Sequence, residues 1–213
     1  MAHPRQPRKY DAPQRSVAAA RTRAAIVAAA LRSFEQYGWT GATVRLIAAD
    51  ARVSPKTVEA LFGTKATLLQ AAADYAIRGD IREIEMPQRE AVAEMEATAT
   101  AAAMLRLHAA HLRTVNSRSA RLAAVVEHAA TTDDAVAALW SRMDHNRRFA
   151  VRWAAGTLLG KPGHRRTLTR EEVEAVFWVA LDWATYRTLT DHAGLTADGY
   201  EQWLRDYYVA MLL

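Results

Sequence analysis

Apolar positions recur at helical spacing along almost the whole chain. Ile26, Ala30, Phe34 and Tyr37 follow one another at intervals of four, four and three, one stripe on a helix predicted over Val17–Tyr37. Gly38 suits the left-handed position that ends it. Thr43 caps a second helix carrying Val44, Ile47, Ala48 and Ala51. After the short Arg52-Val53 link, Ser54 is a good N-cap, and Pro55 takes the first helical position, where an N–H is not needed. Gly63 stops this third helix, Pro55–Phe62. Thr64 caps a fourth, with Leu68, Leu69, Ala72, Tyr75 and Ala76 on one side, which fades over Gly79–Pro87.

Five further helices are predicted near Arg89–Asn116 (with a possible break), Ser117–Ala129, Thr131–Ala155, Thr169–Thr190 and Thr196–Leu212. Thr169 and Glu172 have the spacing of a capping box. Gly156–Arg166, with Gly160, Pro162 and Gly163, is the obvious loop. No run of alternating β-branched residues and no internal repeat interrupts the pattern. The fold class is therefore all-α, with about nine helices, and a domain boundary falls around residues 79–88.

With 51% hydrophobic residues in 213, the chain can bury a real core. It has no cysteine, which excludes disulfides, thiolate zinc sites and cysteine nucleophiles and fits a cytoplasmic setting. The longest apolar run, Ala24–Leu31, is too short to span a bilayer, so no membrane association is expected. No secretion signal is read at the N-terminus. Charge is unevenly spread. Residues 1–80 hold 12 Lys/Arg against 6 Asp/Glu, whereas residues 81–213 hold 16 against 17. A basic amino-terminal third points to a polyanionic partner, or to a solvated tail, since four of those cations precede Ser16. Residues 1–16, with Pro4, Pro7 and Pro13, read as a disordered basic arm.

A helix of about eight residues, a tight turn and a second short helix have the dimensions of a helix-turn-helix, in which the second helix enters the major groove of DNA. Ala48, Val53, Val58 and Leu61 supply small or apolar residues where the two helices cross. Ser54, Lys56 and Thr57 supply polar ones at the start of the second helix, whose unpaired N–H groups also suit a phosphate.

The run Arg23-x-x-Ile26, Ala29-Ala30, Phe34-x-x-x-Gly38, Thr43-Val44, Ile47-Ala48, Ala51, Val53-Ser54, Thr57-Val58, Phe62, Lys65, Leu68-Leu69 resembles the DNA-binding domain of tetracycline-repressor (TetR) family regulators. The resemblance implies a helix-turn-helix domain over 17–80, joined by its fourth helix to a helical ligand-binding and dimerisation domain over 81–213. It further implies a ligand-responsive homodimer, expected to be a repressor, on a palindromic double-stranded DNA operator. Its two recognition helices would enter successive major grooves roughly 34 Å or somewhat more apart. Thr43 and Lys65 would hold phosphates, Ser54, Lys56 and Thr57 would lie at the groove, and Arg45 would reach either backbone or a base. The basic arm would either enter the minor groove or remain a tail. Two positions depart from the family pattern. Arg52 stands where glycine is usual, which strains a left-handed turn. Glu59 stands where a phosphate-binding tyrosine is usual; it either accepts from a cytosine N4 amine or pairs with Lys56.

By the same resemblance, the last two helices would make the dimer interface, with Phe177, Trp178, Leu181, Tyr200, Trp203, Leu204 and Tyr207 as candidates. An unknown small-molecule effector would lie among Met104, Leu107, His108, His111, Trp140, Met143 and Trp153. His108 and His111 lack a third ligand at diagnostic spacing, so neither a metal nor any other cofactor is expected.

An enzyme is disfavoured. Gly156-x-x-x-Gly160-Lys161-Pro162 has one residue too few for a phosphate loop and proline where a hydroxyl is needed, and no G-x-S-x-G or H-E-x-x-H occurs. A helical protein-interaction module without specific DNA binding is the alternative, favoured by Arg52 and Glu59.

Overall fold

The computed structural model describes residues 12–80 and 88–213, and all regular structure among them is helical. Ten α-helices follow in order: α1 (Ala12–Gly41), α2 (Val44–Asp50), α3 (Pro55–Phe62), α4 (Lys65–Arg78), α5 (Glu90–Ala97), α6 (Ala101–Ala129), α7 (Asp134–Leu159), α8 (Arg170–Ala180), α9 (Trp183–Arg187) and α10 (Ala197–Leu212). A π-helical turn, Thr188–His192, continues α9. The basic arm lies outside the described residues as far as residue 11; the backbone is helical from Ala12, earlier than predicted.

Local signals set the amino-terminal helices. Gly38, at φ 67°, breaks α1 before its last turn. The hydroxyls of Thr43, Ser54 and Thr64 accept from the backbone N–H groups of Leu46, Thr57 and Thr67, capping α2, α3 and α4. Further on, the boundaries shift. The stretch predicted over Arg89–Asn116 breaks at Thr98–Thr100, where the Thr98 hydroxyl donates to the Met95 carbonyl and Thr100 caps α6. The expected break at Ser117 is absent. The Ser117 and Ser119 hydroxyls donate back to the Arg113 and Val115 carbonyls, so the helix runs on through them. Asp133 caps α7, which therefore starts at Asp134 rather than near Thr131. The single helix predicted over Thr169–Thr190 divides at Asp182. One carboxylate oxygen of Asp182 caps α9 through the Thr185 N–H, and the other takes Arg147 Nη1 at 3.0 Å.

Burial forms two cores that ignore the boundary at 79–88. Ile26, Phe34, Ile47, Val58, Leu68 and Leu69 pack with Leu122, Val126, Leu139, Met143 and Trp183, so α1–α4 share one core with the end of α6, the start of α7 and α9. The second core joins α5, the start of α6, the end of α7, α8 and α10 around Met104, Leu105, Leu158, Phe177, Tyr200 and Tyr208. Truncating a fully buried leucine such as Leu68 costs about 2–5 kcal/mol, so α4 is held firmly on both neighbours.

Candidate nucleic-acid interface

Two buried side chains, Val58 and Phe62, anchor α3 against Ile47 and Ala48 of α2. Phe62 does the work expected of Leu61, which is 37% exposed. The Arg23 guanidinium lies 4.5 Å from the Phe62 ring centre and donates to the Leu61 carbonyl, tying α1 to the end of α3. Between the helices, Val53 N–H donates to Ala48 O at 2.9 Å and Arg52 N–H to Ala49 O at 3.1 Å. Closing this turn requires φ 56° at Arg52, the one non-glycine positive φ among the described residues. The strain expected of arginine in the family's glycine position is therefore present.

This anchoring turns the opposite edge of α3 outward. Ser54, Pro55, Lys56, Glu59 and Ala60 are exposed; Thr57 is half-buried, and its hydroxyl shares a 2.8 Å hydrogen bond with Ser54 Oγ. No ion pair joins Glu59 to Lys56 among the described residues, although one turn of helix separates them. Arg45 and Arg52 are exposed as well, and Thr43 is exposed at the start of α2. Asp50, by contrast, is held by Arg32 at 2.8 Å.

Lys65 is placed differently from the free cation its sequence position suggests. Its ammonium donates to the Trp39 carbonyl and lies 4.3 Å from the centre of the Trp39 ring, which in turn stacks on Phe34. Burial pushes the Lys65 ammonium below its usual pKa range, with Asp133 partly opposing. Two of its three N–H donors remain for another acceptor.

The residues expected to line an effector pocket do not converge. Met104 and Met143 belong to different cores, and Leu107 is exposed. His108 is fully buried; its Nδ1 is 2.7 Å from the Tyr208 hydroxyl, its ring meets Phe177 edge-on, and burial lowers its pKa to about 3. His111, half-buried, is lowered too, first by burial and then by Arg118. Trp153 donates to the Glu96 carboxylate at 2.8 Å. Of the seven, Trp140 lines a cavity between α6, α7 and α9.

The expected interface residues also separate. Phe177, Tyr200 and Leu204 are buried in the chain's own core and have no surface to offer a partner. Trp178, Leu181, Trp203 and Tyr207 are half-buried, the last two stacked at 5.3 Å. Val179, Val209 and Met211 were not expected, yet they are the exposed apolar residues of α8 and α10. The last turns of these helices, residues 175–180 and 207–212, are apolar on every side in sequence, so periodicity gave no signal to pick them out.

Among the described residues, no three His, Asp or Glu side chains cluster as a metal would require, and no helix is long and apolar enough to cross a membrane. Residues 26–72 match the model of the bacterial regulatory proteins of the tetR family. The amino-terminal domain belongs to the TetR family. The TetR-family match, together with the exposed edge of α3, makes the chain a DNA-binding transcriptional regulator. No curated protein matches it significantly. About nine-tenths of the chain shares its fold with solved structures. One is of a TetR transcription regulator from Haloarcula marismortui (18% identity, 90% of this chain and 98% of that one, TM-score 0.64). Another is of a protein from Rhodococcus sp. described as TetR-family (17%, 90% and 98%, 0.66). A third is of a protein from Saccharomonospora viridis described as a transcriptional regulator, in complex with choline (17%, 89% and 96%, 0.65).

Proposed function

We propose that the chain is a ligand-responsive repressor that binds a palindromic operator as a homodimer in the cytoplasm. The observation that carries this reading is the exposed amino-terminal edge of α3, held outward by the buried Val58 and Phe62. Lys56 and Thr57 read the groove, while Thr43 and the two spare donors of Lys65 hold phosphates. Arg45 reaches the backbone beside them. Glu59, without a partner on its own helix, accepts from a cytosine N4 amine. Trp178, Leu181, Trp203 and Tyr207, extended by Val179, Val209 and Met211, form the dimer face. The choline bound by the Saccharomonospora viridis protein supports a small-molecule effector on this fold. The effector acts by binding one head spacing better than the other.

The test is anisotropy of the full chain on the DNA upstream of its own gene, measured across salt concentrations. A palindromic protected site and a log–log salt slope of several units support the reading. Absent or salt-insensitive binding favours a protein-interaction module instead.

A further inference from the structure

The cavity between α6, α7 and α9 has a volume of about 60 Å³. Its walls include two indole rings, Trp140 and Trp183, with centres 6.0 Å apart. Four charged residues also line it, two of each sign. Arg147 and Asp182 neutralise each other through a 3.0 Å ion pair, and Arg147 also spans to Asp144 and lies over the Trp183 ring. The other two, Glu127 on α6 and Arg187 on α9, make no ion pair with each other or with any described residue. Arg187 is half-buried, and its Nε is shielded from solvent without a hydrogen-bond partner. A partly desolvated cation without an ion-pair partner is costly, and an incoming carboxylate relieves that cost. Trp140, unlike Trp183, has no cation over its ring among the described residues.

A simple anion entering this cavity meets Glu127 and Asp182. A simple cation meets Arg147 and Arg187. The lining is balanced for a molecule bearing both charges. We infer that the cavity binds a small zwitterion, its carboxylate on Arg187 and its onium group against the Trp140 face and Glu127. This rests on the proposed ligand response and names the chemical class of the effector. The site also borders the core shared with α1–α4 through Ala123, Trp140 and Trp183.

The experiment is calorimetric titration of the full chain, without DNA, using three matched probes. Glycine betaine carries both charges, 3,3-dimethylbutanoate replaces the onium with carbon, and choline lacks the carboxylate. Betaine is expected to bind at least tenfold more tightly than either. Arg187→Gln and Glu127→Gln are each expected to weaken betaine at least tenfold without lowering the melting temperature of the unliganded protein. Failure of betaine to bind, equal binding of the butanoate or choline, or indifference to both substitutions overturns the inference. Operator binding without betaine binding sinks this inference alone; betaine binding without operator binding sinks the regulator reading and leaves the site.

Discussion

A Cβ on Gly79 would stand 2.5 Å from Arg118 Nη1, because the Arg118 guanidinium fills the space beside the last turn of α4 and donates to the Ala76 and Ile77 carbonyls. Gly79 is also left-handed, at φ 80°. The pair joins the end of the DNA-binding domain to the middle of α6. Gly79→Ala is expected to cost about 2 kcal/mol, combining positive-φ strain with displaced charge-assisted hydrogen bonds. For a chain of this length the melting temperature then falls by roughly 4–8 °C. In a double-mutant cycle with Arg118→Ala the two losses should add only in part, because the hydrogen bonds are lost once while the positive-φ strain remains.

Arg52 occupies a left-handed turn that glycine adopts freely. Arg52→Gly is expected to raise stability by about 1 kcal/mol, read as a melting temperature higher by roughly 2–4 °C. A lowered melting temperature would mean that the arginine side chain contributes more than its backbone costs.

Lys56 and Lys65 should separate in their effects. Lys56 is exposed and placed at the groove, so Lys56→Ala leaves thermal stability unchanged and relaxes base preference at the position it reads. Lys65→Ala lowers the salt slope of operator binding by about one, and by removing the contact with Trp39 it is expected to cost about 1 kcal/mol of folding stability in addition. Thermal melts alongside salt titrations distinguish them.

Burial sets His108 apart in acid. Its folded pKa is lowered to about 3, so the unfolded chain takes up the proton first. Stability falls as pH drops below about 6.5, by about 1.4 kcal/mol per pH unit, until about pH 3. The neighbouring His111 is shifted the same way, and Tyr208 remains neutral over this range. His108→Gln is expected to flatten the fall in melting temperature between pH 7 and pH 4; parallel curves would refute the assignment.

Val209, 57% exposed on α10, tests the dimer face without disturbing the core. Val209→Asp should yield a folded monomer in sedimentation equilibrium, with operator affinity lost. Phe177→Ala, within the core, should instead cost about 3–5 kcal/mol.

Apart from the start of α1, helix starts and stops near the amino terminus were legible in the chain itself. Thr43, Ser54 and Thr64 cap, and Gly38, Gly63 and Gly79 terminate, through hydrogen bonds and backbone angles that close within a few residues. The exposed edge of α3 followed from the same short range, because Val58 and Phe62 share one helix face. Other features depend on partners far along the chain. Asp182 reads as a helix interior until Arg147, 35 residues away, claims one of its oxygens. Phe177, Tyr200 and Leu204 look no different from Val179 and Val209 until α6, α7, α8 and α10 choose which apolar face to cover. Local backbone geometry is written residue by residue, but which side of a doubly apolar helix meets water is settled only when remote helices compete to bury it.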